Sequence, residues 1–163
     1  MMKNRTKENG SHNNDWETQK YIYDFIRTEI GSRDVLFDPC PLNADFDGLV
    51  VDWGKYNYIN PPYTRKLKEA FIMKAFEESK KGKLCIMLLP AVTDTKIFHD
   101  LIAPNAYVYL IKGRVKFKGH NSKGDYVTDK TGQSGSMFVI FDESIEPYIT
   151  TVNLKQEDWH EKK

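Results

Sequence analysis

Residues 56–89, YNYINPPYTRKLKEAFIMKAFEESKKGKLCIMLL, decide how the rest of the chain is read. Tyr56 to Ile59 reads as a strand that stops at Asn60, where two consecutive prolines remove two backbone donors and stiffen the chain. A helix is expected from about Thr64 to Lys80, with Gly82 as its stop signal. Leu84 to Leu89 is a continuous apolar run, which suits a central strand covered on both faces. Strand, helix and buried strand in succession make the repeating unit of a layered α/β protein with a largely parallel sheet.

Working outward, Tyr21, Ile22, Phe25, Ile26 and Ile30 fall at helical spacing, which predicts a first helix over Glu17–Ile30 with Asp15 as cap and Gly31 as terminator. Val35-Leu36-Phe37 reads as a short strand ending at Asp38, and residues 39–48 (PCPLNADFDG) as a loop. Past the central run, a short helix (Thr95–Ile102) and a strand (Tyr107–Ile111) are expected. Residues 113–118 (GRVKFK) alternate like a strand, 119–134 read as a polar loop, and Ser136–Phe141 as the last strand. With no helix between them, these last two strands predict an antiparallel C-terminal hairpin on the sheet edge. Residues 1–14 read as a disordered arm, 15–150 as one domain and 151–163 as a polar tail. Sheets of this kind bind ligands outside the carboxyl ends of their strands, where Asp38 and Asn60 both fall.

A chain of 163 residues fits one domain with its own core. Cys40 and Cys85 match no disulfide framework, zinc pattern or CxxC motif, so a reduced, cytoplasmic setting and no metal are expected. No apolar stretch approaches the roughly 18–20 residues of a membrane span. The net charge of +1 means that any nucleic-acid partner must be met by a local basic patch. Nothing in the sequence sets an oligomeric state.

Asn60-Pro61-Pro62-Tyr63 is the sharpest chemical signal. The Pro61 carbonyl can point into a site without a competing ladder bond, the Asn60 side chain offers a second acceptor, and Tyr63 offers a flat face. Two acceptors and an aromatic plate suit an amino group on a planar heterocycle. A second signal is basic: Lys112, Arg114, Lys116 and Lys118 are spaced by two and would share one face of a strand opposite Val115 and Phe117, with His120 and Lys123 following. Arg114, Lys116, Lys118 and Lys123 are therefore candidate contacts to the phosphates of a nucleic acid, against the plain alternative of a solvated strand face.

The Asn60–Tyr63 run is similar to the [D/N]PP[Y/F/W] motif of amino-methyltransferases. Asp15-Trp16-Glu17-Thr18, Phe37-Asp38-Pro39-Cys40-Pro41-Leu42-Asn43, Asp47-Gly48-Leu49, Leu88-Leu89-Pro90-Ala91 with Asp94-Thr95 and Phe98-His99, and Gly113-Arg114-Val115-Lys116-Phe117 follow in one order. Together they resemble the phage-type DNA N-6-adenine methyltransferase (Dam) family over roughly residues 15–141. The resemblance implies a minimal, Rossmann-like class I fold with S-adenosylmethionine as donor and adenine in double-stranded DNA as target. It implies that the base is flipped out, that Asn60 Oδ1 and the Pro61 carbonyl accept from N6–H, and that Pro62 stiffens the turn while Tyr63 stacks on the ring. It places Asp38, Pro39, Cys40, Asp47 and Asn60 near the donor, with Asp15, Trp16 and Thr18 covering it. Asp15 reads equally as a helix cap and Trp16 equally as a core residue. The chain departs from the family pattern where Pro39-Cys40-Pro41 replaces a glycine-rich loop and Val92 stands where Arg is frequent. The competing readings are the same chemistry on RNA or a protein amide, and a non-catalytic DNA-binding derivative of the fold. No phosphate-cradling glycine loop supports an unrelated nucleotide-binding protein.

Overall fold

The computed structural model describes residues 17–31, 35–62 and 64–154. Its elements are β1 (Glu17–Thr18), α1 (Lys20–Ile30), β2 (Leu36–Phe37), β3 (Tyr56–Ile59), α2 (Arg65–Ser79), β4 (Leu84–Pro90), a π-helical turn (Phe98–Ile102) running into α3 (Ala103–Asn105), β5 (Tyr107–Ile111), β6 (Lys116–His120), β7 (Tyr126–Thr131), β8 (Ser136–Phe141) and β9 (Tyr148–Val152).

The main sheet has the order β2-β3-β4-β8-β5-β9 and is mixed. β2 with β3, β3 with β4, and β5 with β9 pair parallel, whereas β8 runs antiparallel to β4 on one side and to β5 on the other. The period-2 alternation of its strands divides the core in two. Ile59, Cys85, Met87, Leu89, Met137, Val139 and Phe141 pack on one face with Phe71, Ile72 and Ala75 of α2. Tyr58, Ile86, Leu88, Phe138 and Ile140 pack on the other with Ile22, Phe25, Ile26 and Ile30 of α1. The result is three layers, with a helix on either side of the sheet.

Several expectations are corrected by long-range pairing. β8 lies between β4 and β5, not at an edge, and β6 leaves the main sheet altogether, so the expected edge hairpin of 113–118 with 136–141 does not form. β6 instead joins a second, three-stranded sheet of order β1-β6-β7. Residues 119–134, expected as loop, supply β7, turned back on β6 through Asn121–Gly124, where Asn121 Oδ1 accepts from the amides of Lys123 and Asp125. The first helix starts at Lys20 because Glu17 and Thr18 are held by Lys118 and Phe117 of β6. It ends at Gly31 (φ 87°), a left-handed position that glycine adopts without strain. The expected helix over Thr95–Ile102 forms from Lys96, widens into the π-helical turn at Phe98 and runs on to Asn105. Residues 151–154, expected in a polar tail, complete β9 and bury Leu154 in the core; residues 155–163 lie outside the described residues.

The small sheet is tied to the large one by a buried hydrogen bond between Thr18 Oγ1 and Tyr58 Oη, 2.7 Å long. Tyr58→Phe removes one partner and leaves the Thr18 hydroxyl without it, which should cost about 1–2 kcal/mol, measured as a lower denaturation midpoint at unchanged m-value.

Candidate functional site

The carboxyl end of β3 carries Asn60, which retains only 8% exposure, followed by buried Pro61 and Pro62. In the parallel register Tyr58 is level with Ile86, so Asn60 falls level with Leu88 at the end of β4. Tyr58 and Asn60 are two residues apart and point to the same face of the sheet, the α1 face. That face also carries Thr18, bonded to the Tyr58 hydroxyl.

Asn60 and Pro61 line a cleft of about 480 Å³, within the usual range for a small-molecule or nucleotide site. Leu88, Leu89, Pro90 and Phe117 give it apolar surface. Asn121, Ser122, Gln133, Ser134 and Ser136 bring polar groups from the β6–β7 turn and the connection into β8. The Ala91 amide donates to the Gly135 carbonyl at 2.8 Å and Ser136 pairs with Pro90, so this polar wall is fastened to the end of β4. An apolar slot with hydrogen-bonding groups along its rim suits a flat, nitrogen-bearing ring.

Several candidate residues hold local turns through their own hydrogen bonds. Asp38 follows β2, and its Oδ1 accepts from the Cys40 amide at 2.8 Å, which shapes the Pro39–Pro41 bend. Pro39 and Cys40 are buried, and Cys40 belongs to the α2-side core, so its thiol faces core residues and only backbone of this bend can approach a ligand. Asp47 Oδ1 accepts from the Leu49 amide, and its carbonyl accepts from Val50 and Val51, closing a tight turn. The Trp53 indole locks that turn by donating to the Gly48 carbonyl at 2.7 Å. Asp15, Trp16 and Tyr63 lie outside the described residues.

The basic stripe is displaced from the cleft. Arg114 and Lys116 are exposed and Val115 and Phe117 buried, but only Lys116 and Lys118 are on a strand; Lys112 precedes a turn at Gly113. Phe117 lines the cleft, so its alternating neighbours Lys116 and Lys118 point to the opposite face of β6. Lys118 approaches Glu17 at 4.0 Å, and Arg114 donates to the Gly132 carbonyl at 3.0 Å. Lys123 is exposed in the β6–β7 turn. The cations that do line the cleft are Lys68 and Lys130, which sequence reasoning missed. The signal for Lys68 was present: Arg65, Lys66 and Lys68 open α2 with no acidic residue in its first turn, the reverse of what the helix dipole favours. Lys130 needed the strand register.

Other chemistry is thin. Burial pushes the Cys85 thiol up to about 12, so it supplies no thiolate nucleophile. Among the described residues no group of His, Cys, Asp and Glu is arranged to hold a metal ion, and no helix is long and apolar enough to cross a membrane.

Comparison with curated proteins and with solved structures yields no match. The family described as DNA N-6-adenine-methyltransferase (Dam) matches residues 3–162, nearly the whole chain. On that match the chain belongs to the DNA N-6-adenine-methyltransferase (Dam) family.

Proposed function

We propose that the protein transfers the methyl group of S-adenosylmethionine to the exocyclic N6 of an adenine flipped out of duplex DNA into the Asn60 cleft, on a reduced, Rossmann-like class I fold. Family membership implies DNA adenine-N6 methylation. The observation that carries the finer reading is the position of Asn60 and Pro61 on the wall of an apolar cleft at the carboxyl end of the sheet.

Asn60 Oδ1 and the Pro61 carbonyl act as paired acceptors for the two N6–H bonds. Accepting from both draws the amine away from conjugation with the ring and toward a tetrahedral lone pair. Pro62, which has no N–H, stiffens the turn so that the two oxygens are held before the base arrives. The apolar slot of Leu88, Pro90 and Phe117 removes water from the ring and strengthens those hydrogen bonds. Such a site needs orientation and electrostatic matching more than a strong general base. Tyr63, next in sequence, stacks on the base in this reading.

The residues at the end of β2 fit the donor. S-adenosylmethionine, when bound, supplies an electrophilic methyl group on a sulfonium. Asp38 offers a carboxylate one strand away from Asn60, and the bend it holds through the Cys40 amide takes the place of a glycine-rich loop. Asp38, with the backbone of Pro39 and Cys40, would bind the amino-acid end; Thr18 and Asp47 would lie nearer the rest of the donor.

Incubating the protein with methyl-labelled donor and a mixture of DNA, RNA and protein tests this reading. Label is expected in the DNA. Label confined to RNA or protein would overturn the substrate, and donor consumption without transfer to any polymer would overturn the reaction.

A further inference from the structure

We propose that Lys68 and Lys130, from separate walls of the Asn60 cleft, grip the phosphates that flank the target nucleotide and are the cations that hold it there. This rests on the DNA reading above and adds the part of the site that binds the backbone.

The first observation is electrostatic. The described residues lining the cleft include two cations, Lys68 and Lys130, and no carboxylate. The chain as a whole is close to neutral, with a net charge of +1, so this cleft is a local concentration of positive charge. Neither lysine is in an ion pair among the described residues, whereas Arg65, beside Lys68, is bound to Glu69 at 3.1 Å. Focused positive charge between low-dielectric walls attracts and holds an anion.

The second observation is geometric. Lys130 is the cross-strand partner of Phe117, and directly opposed residues of an antiparallel pair project to the same face. Phe117 lines the cleft, so Lys130 projects on the cleft side of the small sheet, while Lys116 and Lys118 project away from it. Lys68 is half-buried in the first turn of α2, its amide making that helix's early bond to the Thr64 carbonyl at 2.9 Å.

The third observation is the cost of the arrangement without a ligand. Lys68 stands with Arg65 and Lys66 at the positive end of the α2 dipole, with no acidic residue in the first turn. Thr64, the residue positioned to cap this helix, makes no side-chain cap bond, and its buried Oγ1 has no hydrogen-bond partner among the described residues. A phosphate placed here relieves the charge repulsion. A flipped nucleotide brings its own two flanking phosphates to the rim of the pocket that receives its base.

The test compares the salt dependence of binding to an adenine-containing DNA duplex, read by fluorescence anisotropy, across four proteins. In Lys68→Ala/Lys130→Ala the slope of log K against log salt should be shallower by about 1.8, two phosphate contacts at about 0.9 each. Lys55→Ala/Lys80→Ala removes the same charge at the far end of the sheet and should leave the slope unchanged. Lys68→Arg/Lys130→Arg should restore the wild-type slope, which separates lost contact from lost folding. An unchanged slope in the alanine pair, or an equal loss in the remote pair, overturns the proposal. Methyl transfer to the same duplex by the wild type is measured alongside. Binding without transfer defeats the proposed reaction yet leaves the slope comparison valid, and absence of wild-type binding overturns the phosphate grip itself.

Discussion

Asn60→Ala should lower the methyl-transfer rate by about 10²–10³-fold while leaving DNA affinity nearly unchanged. In the proposed site the Asn60 side chain accepts from one of the two amino hydrogens, and the substitution removes that acceptor while the Pro61 carbonyl remains. An acceptor whose bond to the amine strengthens as the lone pair localises acts mainly on the transition state. Its loss therefore appears in kcat and in kcat/KM alike. Asn60→Asp keeps an oxygen in the same place and should retain activity within about tenfold of wild type, because the family motif itself admits either residue and one interaction made in both is preserved. Single-turnover kinetics with labelled donor, beside anisotropy on the same DNA, separate the two effects. Equal losses in rate and in DNA binding would mean that Asn60 holds the turn and does not act on the amine.

The largest expected effect on stability lies at the opposite end of the sheet. Glu78, in the last turn of α2, is fully buried and surrounded by lysines: Lys74 Nζ at 2.9 Å, Lys81 Nζ at 3.1 Å, and Lys83 Nζ, which also donates to the Trp53 carbonyl at 2.8 Å. One carboxylate thus joins α2, the turn into β4 and the segment that leads into β3. Burial alone pushes the Glu78 carboxyl up, but hydrogen bonds from Lys83, Lys74 and Lys81 outweigh it and leave the group at about 2, below its ordinary 4.5. A carboxyl lowered on folding contributes its stability in full above the unfolded value of 4.5 and loses it as pH falls from there toward 2. Glu78→Gln keeps the shape, removes the charge and leaves three ammonium groups crowded together. It should cost about 3 kcal/mol at neutral pH and lower Tm by roughly 6–12 °C. The gap between variant and wild type should close as pH is taken down through 4.5 toward 2. A gap that stays constant over that range would show that the carboxylate's charge contributes nothing. Methyl transfer measured at a temperature where both are folded should be unaffected, because the cluster touches no part of the cleft.

Local patterning made much of this fold legible. Tyr56–Ile59, Tyr107–Ile111 and Ser136–Phe141 form strands over the residues that their apolar runs predict, and α2 differs from expectation by one residue at each end. Strand order was not legible, because it is set by partners far apart in sequence. The run SMFVIF did carry a usable signal: like LCIMLL it is apolar on both faces, which fits an interior strand and not the edge to which it was assigned. β7 carries almost none, since its residues are nearly all exposed and it is held by backbone pairing to β6 and by the Asn121 turn. The same limit governed the site. The turn at Asn60 announced itself, because a strand ending in Asn-Pro-Pro is rare chemistry in a short space. The cleft-lining lysines did not, because a two-residue period says which side chains share a face and not which face meets the cleft. Lys116 and Lys118 satisfied the pattern and point away from it; Lys130 is revealed only by its pairing with Phe117.

The most direct measurement is the identity of the methylated nucleoside. Unmethylated DNA treated with the protein and labelled donor, digested to nucleosides and resolved by mass spectrometry, should yield N6-methyl-2′-deoxyadenosine from the wild type and almost none from Asn60→Ala. Label on cytosine, or an equal yield of methylated adenine from the variant, would contradict the account.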